Sequence, residues 1–472
     1  MSKKISAFSD DAIGTLDAVG IAEAISAKKI SQEEVIEAAI QRAEKVNGEL
    51  NAIAYKTYDS ARAKAKTPQT GLLAGVPTFV KDNEKVKGTP TQMGTLAFKA
   101  KPAKKNSQFV NQFFATGLNS LGKSTLPELG LICSTENPKW GITRNPWDTD
   151  YTTGGSSSGS AAMVASGVVP IALANDGAGS TRIPASCCGL VGLKPTRGRL
   201  VNFDGSEILP VNIGFEGVVT RTVRDTAAFY ASAEKHFRNP KLPELGFVRE
   251  PNKKKLKILF FENVAAGKFG HQDEDVYSAI EKTAAFLSSL GHEVERKTLP
   301  VDIDLLFEPF LNYYGLFSFL YSNFSSLVFG AKMDKSQLEP FTTGLSKQFR
   351  KNIFNVSKGL KTLKEAGAKI ESNFANYDLV MSPVVAHKTP KIGHFSVDLP
   401  YSEISSRAVA FAPFTGMQNI TGVPGISLPL AESSDGMPIG VHFSAPFGQD
   451  KFLLEFAYEM EQTNPWKFIY QN

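Results

Sequence analysis

The spacing of apolar side chains predicts helices and strands in alternation along most of the chain. Val35, Ile36, Ala39 and Ala43 form one helical stripe over residues 31–48; Ser31 and Glu34 make a capping box before it, and Gly48 is the expected stop. Leu73–Val80 reads as a short buried strand entering Lys81-Asp82-Asn83. Residues 107–116 read as a helix, Gly117 as its cap and Leu118–Leu121 as the next strand. A Gly/Ser cluster at 152–160 then leads into a small-residue helix (Ala161–Ser166), a strand-like run (Val168–Ala174) and a second small-residue loop (Asn175–Ser180). Leu256–Phe261, Asp275–Leu290 and His292–Glu295 follow a strand–helix–strand order, and Tyr377–Ser382 and Val423–Leu430 read as further strands. This alternation predicts the α/β class, with a large, mixed, mostly parallel central sheet.

Residues 303–370 differ. They are helical in composition and hold Phe307, Phe310, Tyr313, Tyr314, Phe317, Phe319, Tyr321, Phe324 and Phe329. Most of these rings are expected to be core, and some to wall a pocket.

Composition narrows the class. Of 472 residues, 42% are hydrophobic and 10% aromatic, which suits a large core and excludes global disorder. With 52 Lys+Arg against 47 Asp+Glu the net charge is +5, too small to suggest nucleic acid as the main partner. Three cysteines (Cys133, Cys187, Cys188) make no disulfide framework, and the adjacent pair reads as small buried packing. The stretch Met1–Asp11 is polar, and no apolar run of ~18 residues occurs. A cytoplasmic globular protein, monomer or homodimer, without a membrane span is the expectation.

Two short motifs point to different chemistries. Gly117-Leu-Asn-Ser-Leu-Gly122-Lys123-Ser124 fits the phosphate-loop pattern letter for letter. A phosphate cradle needs a strand before the first Gly and a helix after it. Here the predicted order is reversed, and Pro127 interrupts any helix. A helix–Gly–strand junction is expected instead of a nucleotide site. Gly155-Ser-Ser157-Ser-Gly159 fits the G-x-S-x-G nucleophile elbow, which also needs an acid and a later His. His387, His394 and His442 have the right order but no supporting motif. Neither C-x-x-C nor H-E-x-x-H occurs, so no metal and no cofactor is called for.

A longer constellation is more specific. It combines Gly75-Val-Pro-Thr-Phe-Val-Lys81-Asp82-Asn83, Gly154-Gly-Ser-Ser-Ser-Gly-Ser160-Ala161, Asp176-Gly-Ala-Gly-Ser180-Thr-Arg182-Ile-Pro184-Ala and Gly189-Leu-Val-Gly-Leu-Lys-Pro-Thr196. With Ile420-Thr-Gly-Val-Pro-Gly-Ile-Ser-Leu-Pro429, this ordered set resembles the amidase signature family over most of the chain. Asn175-Asp-Gly-Ala-Gly-Ser and Gly440-Val-His-Phe-Ser-Ala-Pro-Phe-Gly448 are most similar to its 6-aminohexanoate-cyclic-dimer hydrolase-like branch.

The resemblance implies one amidase domain over 1–472, its sheet covered by helices on both faces. Residues 1–70 would be an N-terminal helical part and 71–230 the signature core. A variable substrate-covering region at 235–375 and a completing segment at 376–472 would follow. It implies amide hydrolysis through a Ser–cis-Ser–Lys triad: Ser180 as nucleophile, Ser156 as bridge after a cis Gly155–Ser156 peptide, Lys81 as base. Backbone N–H groups of Gly177, Ala178, Gly179 and Ser180 would hold the oxyanion, with Asp176, Arg182 and Ser157 in support. The chemistry is coherent. A serine hydroxyl needs a base to become a nucleophile, and a buried lysine kept neutral can serve.

Two stretches depart from the common family pattern: Asp176-Gly-Ala178-Gly-Ser180 stands where Asp-Thr-Gly-Gly-Ser is common, and Ser158 replaces a Gly; Ala178 would be strained at positive φ. A glutamine-dependent amidotransferase subunit is the alternative within the family. A nucleotide-binding protein and an idle amide-binding protein are the alternatives outside it.

Overall fold

The computed structural model describes residues 3–137, 141–262, 273–298, 302 and 304–471. Two sheets dominate. The smaller has three strands, β1 (Ile53–Lys56), β2 (Pro77–Lys81) and β3 (Asn119–Ser124), in the order β1-β3-β2. A two-residue pairing, β4 (Glu136–Asn137) with β5 (Gly141–Ile142), lies apart. The larger sheet takes β6 (Ile171–Asp176), β7 (Val191–Lys194), β8 (Phe215–Thr220), β9 (Lys257–Glu262), β10 (Glu293–Thr298), β11 (Leu379–Pro383), β12 (Gly425–Glu432) and β13 (Pro438–Ser444). Its order is β10-β9-β11-β13-β12-β7-β8-β6.

The α/β class and the large mixed sheet are as expected; the parallel share is smaller. Among the described residues, β10–β9 and β9–β11 run parallel, and the other five neighbour pairs of this sheet run antiparallel. Strand–helix–strand crossovers force parallel pairing only where a helix lies between sheet neighbours, as Glu274–Ser289 does between β9 and β10. β12 and β13 are joined by a short turn through Ser434-Asp435-Gly436, which forces antiparallel pairing.

Helices cover both faces. Ile439 packs with Val276 and Ala279 of Glu274–Ser289, whereas the next residue, Gly440, abuts Ser186 of the helix Arg182–Cys188. Neighbouring residues of a strand point to opposite faces, so these two helices sandwich β13. Among the described residues, no helix is long and apolar enough to cross a membrane.

Local rules account for much of this. The helix over residues 32–50 starts at the Ser31–Glu34 capping box as predicted, but it runs through Gly48 and ends at Asn51 in the left-handed region. Nothing crowds Gly48, and Asn51 is the residue that supplies the turn.

The phosphate-loop match is a strand. The helix Gln108–Ala115 leads through Gly117 into β3, which contains Gly122, Lys123 and Ser124. Gly122 is required because a Cβ there would lie 2.1 Å from the Tyr55 carbonyl oxygen across the sheet. Lys123 is buried and pairs with buried Asp82 at 3.0 Å, while its Nζ donates to the Glu84 carbonyl at 2.7 Å. Lys123→Ala should therefore act on folding, costing about 3–5 kcal/mol by leaving Asp82 buried and unpaired. Urea unfolding measures that loss. A melting temperature of the wild type raised by ATP and unmoved in the variant would return the motif to nucleotide binding.

Candidate active site

Lys81, Ser156, Ser157 and Asp176 come from three separate segments and meet at one place. Lys81 ends β2, Asp176 ends β6, and Ser156 and Ser157 precede the helix Ser158–Ala165. The Gly155–Ser156 peptide is cis. Lys81 is fully buried, and its Nζ lies 2.8 Å from Ser156 Oγ, 3.0 Å from Ser157 Oγ and 2.6 Å from Asn175 Oδ1. Burial lowers its pKa to about 7, against the opposing pull of the Glu216, Asp176 and Glu84 carboxyls. At neutral pH a large fraction is therefore the free amine.

Ser180, 8% exposed, lines a cavity with Gly155 and Ala178. Its backbone carbonyl accepts from Ser157 N–H at 3.3 Å, which ties the two loops together. The loop itself is braced from below. Burial alone would raise the Asp176 carboxyl, but Arg182 holds it well below the usual carboxylate range. The Arg182 guanidinium grips both Asp176 oxygens at 2.9 Å and also donates to Thr415 O and Asn419 Oδ1. Asn419 Nδ2 returns a bond to Asp176 O at 2.8 Å.

Gly179 N–H donates to Asp176 Oδ1 at 2.7 Å. It is thus engaged within the loop and is removed from the expected oxyanion donors. The N–H groups of Gly177, Ala178 and Ser180 have no acceptor among the described residues. The positive φ of this loop, 122°, falls on Gly179, so Ala178 carries no left-handed strain. Ser158 is accommodated too: its hydroxyl donates to Gly154 O and accepts from Thr135 Oγ1.

A Cβ on Gly179 would sit 2.2 Å from Thr415 Oγ1, the hydroxyl that donates to Ala178 O. Gly179→Ala should displace the loop by a fraction of an ångström to an ångström and lower kcat by about 10²-fold. Steady-state rates beside a melting curve check this; a folded variant with an unchanged rate would contradict it.

None of the three histidines considered for Ser157 reaches it. Ser157 Oγ has Lys81 and the Asn175 backbone as partners, and His442 is buried between Arg182 and Ser382. Burial, then the Arg182 charge, keeps His442 neutral. Cys187 and Cys188 are buried and free, as expected.

The cavity, about 160 Å³, is walled by Phe307, Phe310 and Tyr314 of the helix Asp304–Asn323, with Phe341, Phe414 and Met417. Among the described residues, no Asp, Glu, Lys, Arg or His lines it. Of the nine rings singled out in the helical region, these three face the cavity. Tyr313 and Phe317 pack in a second core, and Phe324 is exposed.

Fold and family together define a hydrolase acting on carbon–nitrogen bonds other than peptide bonds. The chain belongs to the amidase family, whose model, described as Amidase, matches residues 34–454. It is 45% identical over 467 residues to "Putative amidase AmiC" of Mycobacterium leprae, with 99% of each chain covered. It is 32% identical to the 6-aminohexanoate-cyclic-dimer hydrolase of Paenarthrobacter ureafaciens over 95% of each. The solved structure of 6-aminohexanoate cyclic dimer hydrolase complexed with substrate superposes with a TM-score of 0.86 at 30% identity, covering 97% of this chain and 98% of that one.

Asn175 and Glu216 were not legible as site residues. Asn175 opens the stretch Asn175-Asp-Gly-Ala-Gly-Ser, but nothing in that stretch gives its side chain a role. The signal for Glu216 is one acid in the otherwise apolar run Phe215-Glu-Gly-Val-Val.

Proposed function

We propose that the protein hydrolyses an uncharged, largely apolar carboxylic acid amide through an acyl-enzyme on Ser180. Lys81 is the base and Ser156 the proton bridge. The observation that carries this reading is a buried lysine, at about pKa 7, 2.8 Å from Ser156 Oγ. The lone pair of Lys81 takes the Ser156 proton while Ser156 takes the Ser180 proton. Ser180 Oγ then bonds to the amide carbon. The negative charge gathers on the former carbonyl oxygen, toward the N–H groups of Gly177, Ala178 and Ser180. On collapse the C–N bond breaks, and the amine leaves with a proton passed back from Lys81 through Ser156. Water repeats the cycle on the ester and restores Ser180.

The cavity supports the substrate class. It offers apolar and aromatic walls, with Ser382 and Gln418 among its polar side chains. Free glutamine would have to bury an ammonium and a carboxylate there without an opposite charge among the described residues, which disfavours the amidotransferase reading. Linear aryl and alkyl amides and the cyclic dimer of 6-aminohexanoate are the substrates to assay.

Labelling with a fluorophosphonate followed by peptide mass spectrometry tests the assignment. The adduct is expected on Ser180; an adduct on Ser157 would bring back the nucleophile-elbow reading.

A further inference from the structure

We infer that the cavity reads a second, neutral hydrogen-bond acceptor of the substrate, a ketone, ester or further amide carbonyl, through the Ser382 hydroxyl and the Gln418 amide as donors. This narrows, and rests on, the hydrolysis of an uncharged, largely apolar amide at Ser180. Both side chains line the cavity. Their hydrogen-bond sense is set from behind by Arg182, a group that donates and never accepts. Arg182 Nη1 carries two hydrogens. Gln418 Oε1 lies 3.3 Å from it and His442 Nε2 lies 3.2 Å from it.

The Gln418 amide can face Arg182 in one sense only. A half-turn would set its NH2 group against a guanidinium N–H, so the oxygen is held at Arg182 and the nitrogen points elsewhere. Ser444 Oγ takes one of the two amide hydrogens at 3.2 Å, and the second is left for a ligand.

The same logic fixes the His442 tautomer. Nε2 opposes an N–H and must accept, so the single hydrogen of the neutral ring sits on Nδ1. Burial, then the Arg182 charge, favours that neutral form. Nδ1 lies 3.2 Å from Ser382 Oγ. The two residues are paired across β11 and β13, which puts their side chains on one face of the sheet. Ser382 Oγ therefore accepts from His442, and its own hydrogen is the movable one. That hydrogen rests on the adjoining Pro383 carbonyl at 3.2 Å, longer than the usual O–H···O bond of about 2.7–2.8 Å. A ligand carbonyl in the cavity would make the better acceptor.

Donation thus runs outward along two short chains, Arg182 to His442 to Ser382 and Arg182 to Gln418. Each link polarises the next, and both chains end with hydrogen available to the ligand. The scissile carbonyl is held at the Ser180 loop in the proposed reaction, so the acceptor read here is a separate group.

The test uses anilides of one acyl length in which a single methylene is replaced by a ketone, moved position by position, each compared with its hydrocarbon parent. The ketone-to-parent ratio is read as kcat/KM in the wild type and as Kd in Ser180→Ala, so it does not depend on turnover. Without donors a ketone loses its hydration on entering an apolar cavity, and the parent should win at every position. With them, one position should favour the ketone by about tenfold, the scale of one hydrogen bond. Ser382→Ala should bring that ratio to about one or below. Gln418→Glu keeps an acceptor for Arg182 but loses the donor, and should lower the ratio as well. A merely structural role for either residue would weaken ketone and parent alike and leave the ratio where it was.

A parent preferred at every position, or a ketone preference that both variants keep, would overturn the inference. If Ser382→Ala does not fold, the wild-type scan and Gln418→Glu decide. A fluorophosphonate adduct on a residue other than Ser180 removes the Ser180 reading and this inference with it. An adduct on Ser180 beside a parent preferred at every position removes the inference alone.

Discussion

Ser180→Ala should lower kcat by about 10⁴- to 10⁶-fold, the scale seen when a nucleophile is removed from a serine hydrolase unit. Ser156 and Ser157 both have their oxygens on the Lys81 amine, and Ser180 is the one of the three that lines the cavity. Lys81→Ala and Ser156→Ala should rank next. Without Lys81 the proton has no acceptor; without the Ser156 hydroxyl it has no route, although slow acylation of Ser180 remains possible. Ser157→Ala should be mildest, because Ser157 holds one lysine hydrogen and carries no proton in the reaction. The losses should not add: Ser180→Ala combined with Lys81→Ala should be little worse than Ser180→Ala alone. Single-turnover rates on one activated amide measure the series. A Ser180→Ala enzyme retaining a few per cent of wild-type kcat, free of contaminating wild type, would sink the nucleophile assignment.

The second large effect is on pH. Activity should rise along a single limb with its midpoint near pH 7, where buried Lys81 changes from ammonium to amine. The same shift has a signature in stability. Folded Lys81 gives up its proton at about pH 7, whereas the unfolded chain holds it up to 10.5. Between those values the unfolded state binds more protons, so folding stability rises with pH, by up to ~1.4 kcal/mol per pH unit from this group. Below pH 7 both states are protonated and the full burial cost of the charge is present. Lys81→Met removes this slope. Urea unfolding of both proteins at several points between about pH 7 and about pH 9.5 reads the difference. Parallel stability curves would mean that Lys81 is not depressed, and the amine would then be too protonated to serve as the base.

Much of the candidate site lay open in the sequence because the small-residue loops and Lys81 sit in short, ordered segments whose chemistry is recognisable together. The bracing was hidden. Arg182 meets Thr415, Gln418, Asn419 and His442 across more than 230 positions of chain, and no local pattern encodes such a meeting. Among the elements, the Ser31 capping box located a helix start because it is a local bond. Gly48 misled about the stop because an unhindered glycine is tolerated within a helix, at a cost of ~1 kcal/mol. Strand direction was the weakest point. Helix–strand alternation counts elements, whereas pairing sense depends on which strands become neighbours. β7, β12 and β13 became antiparallel neighbours although 230 residues of chain separate the first from the second.

The Arg182 clamp has a consequence for biogenesis. A ribosome-bound chain that has emerged only as far as residue 410 already contains Lys81, Ser156 and Ser180, yet lacks every partner that Arg182 uses apart from Asp176. In such a nascent chain the guanidinium has no far wall to hold, and Gly179 lacks the Thr415 contact that packs against it. The clamp under the Ser180 loop is therefore completed only when residues 415–442 have joined the fold.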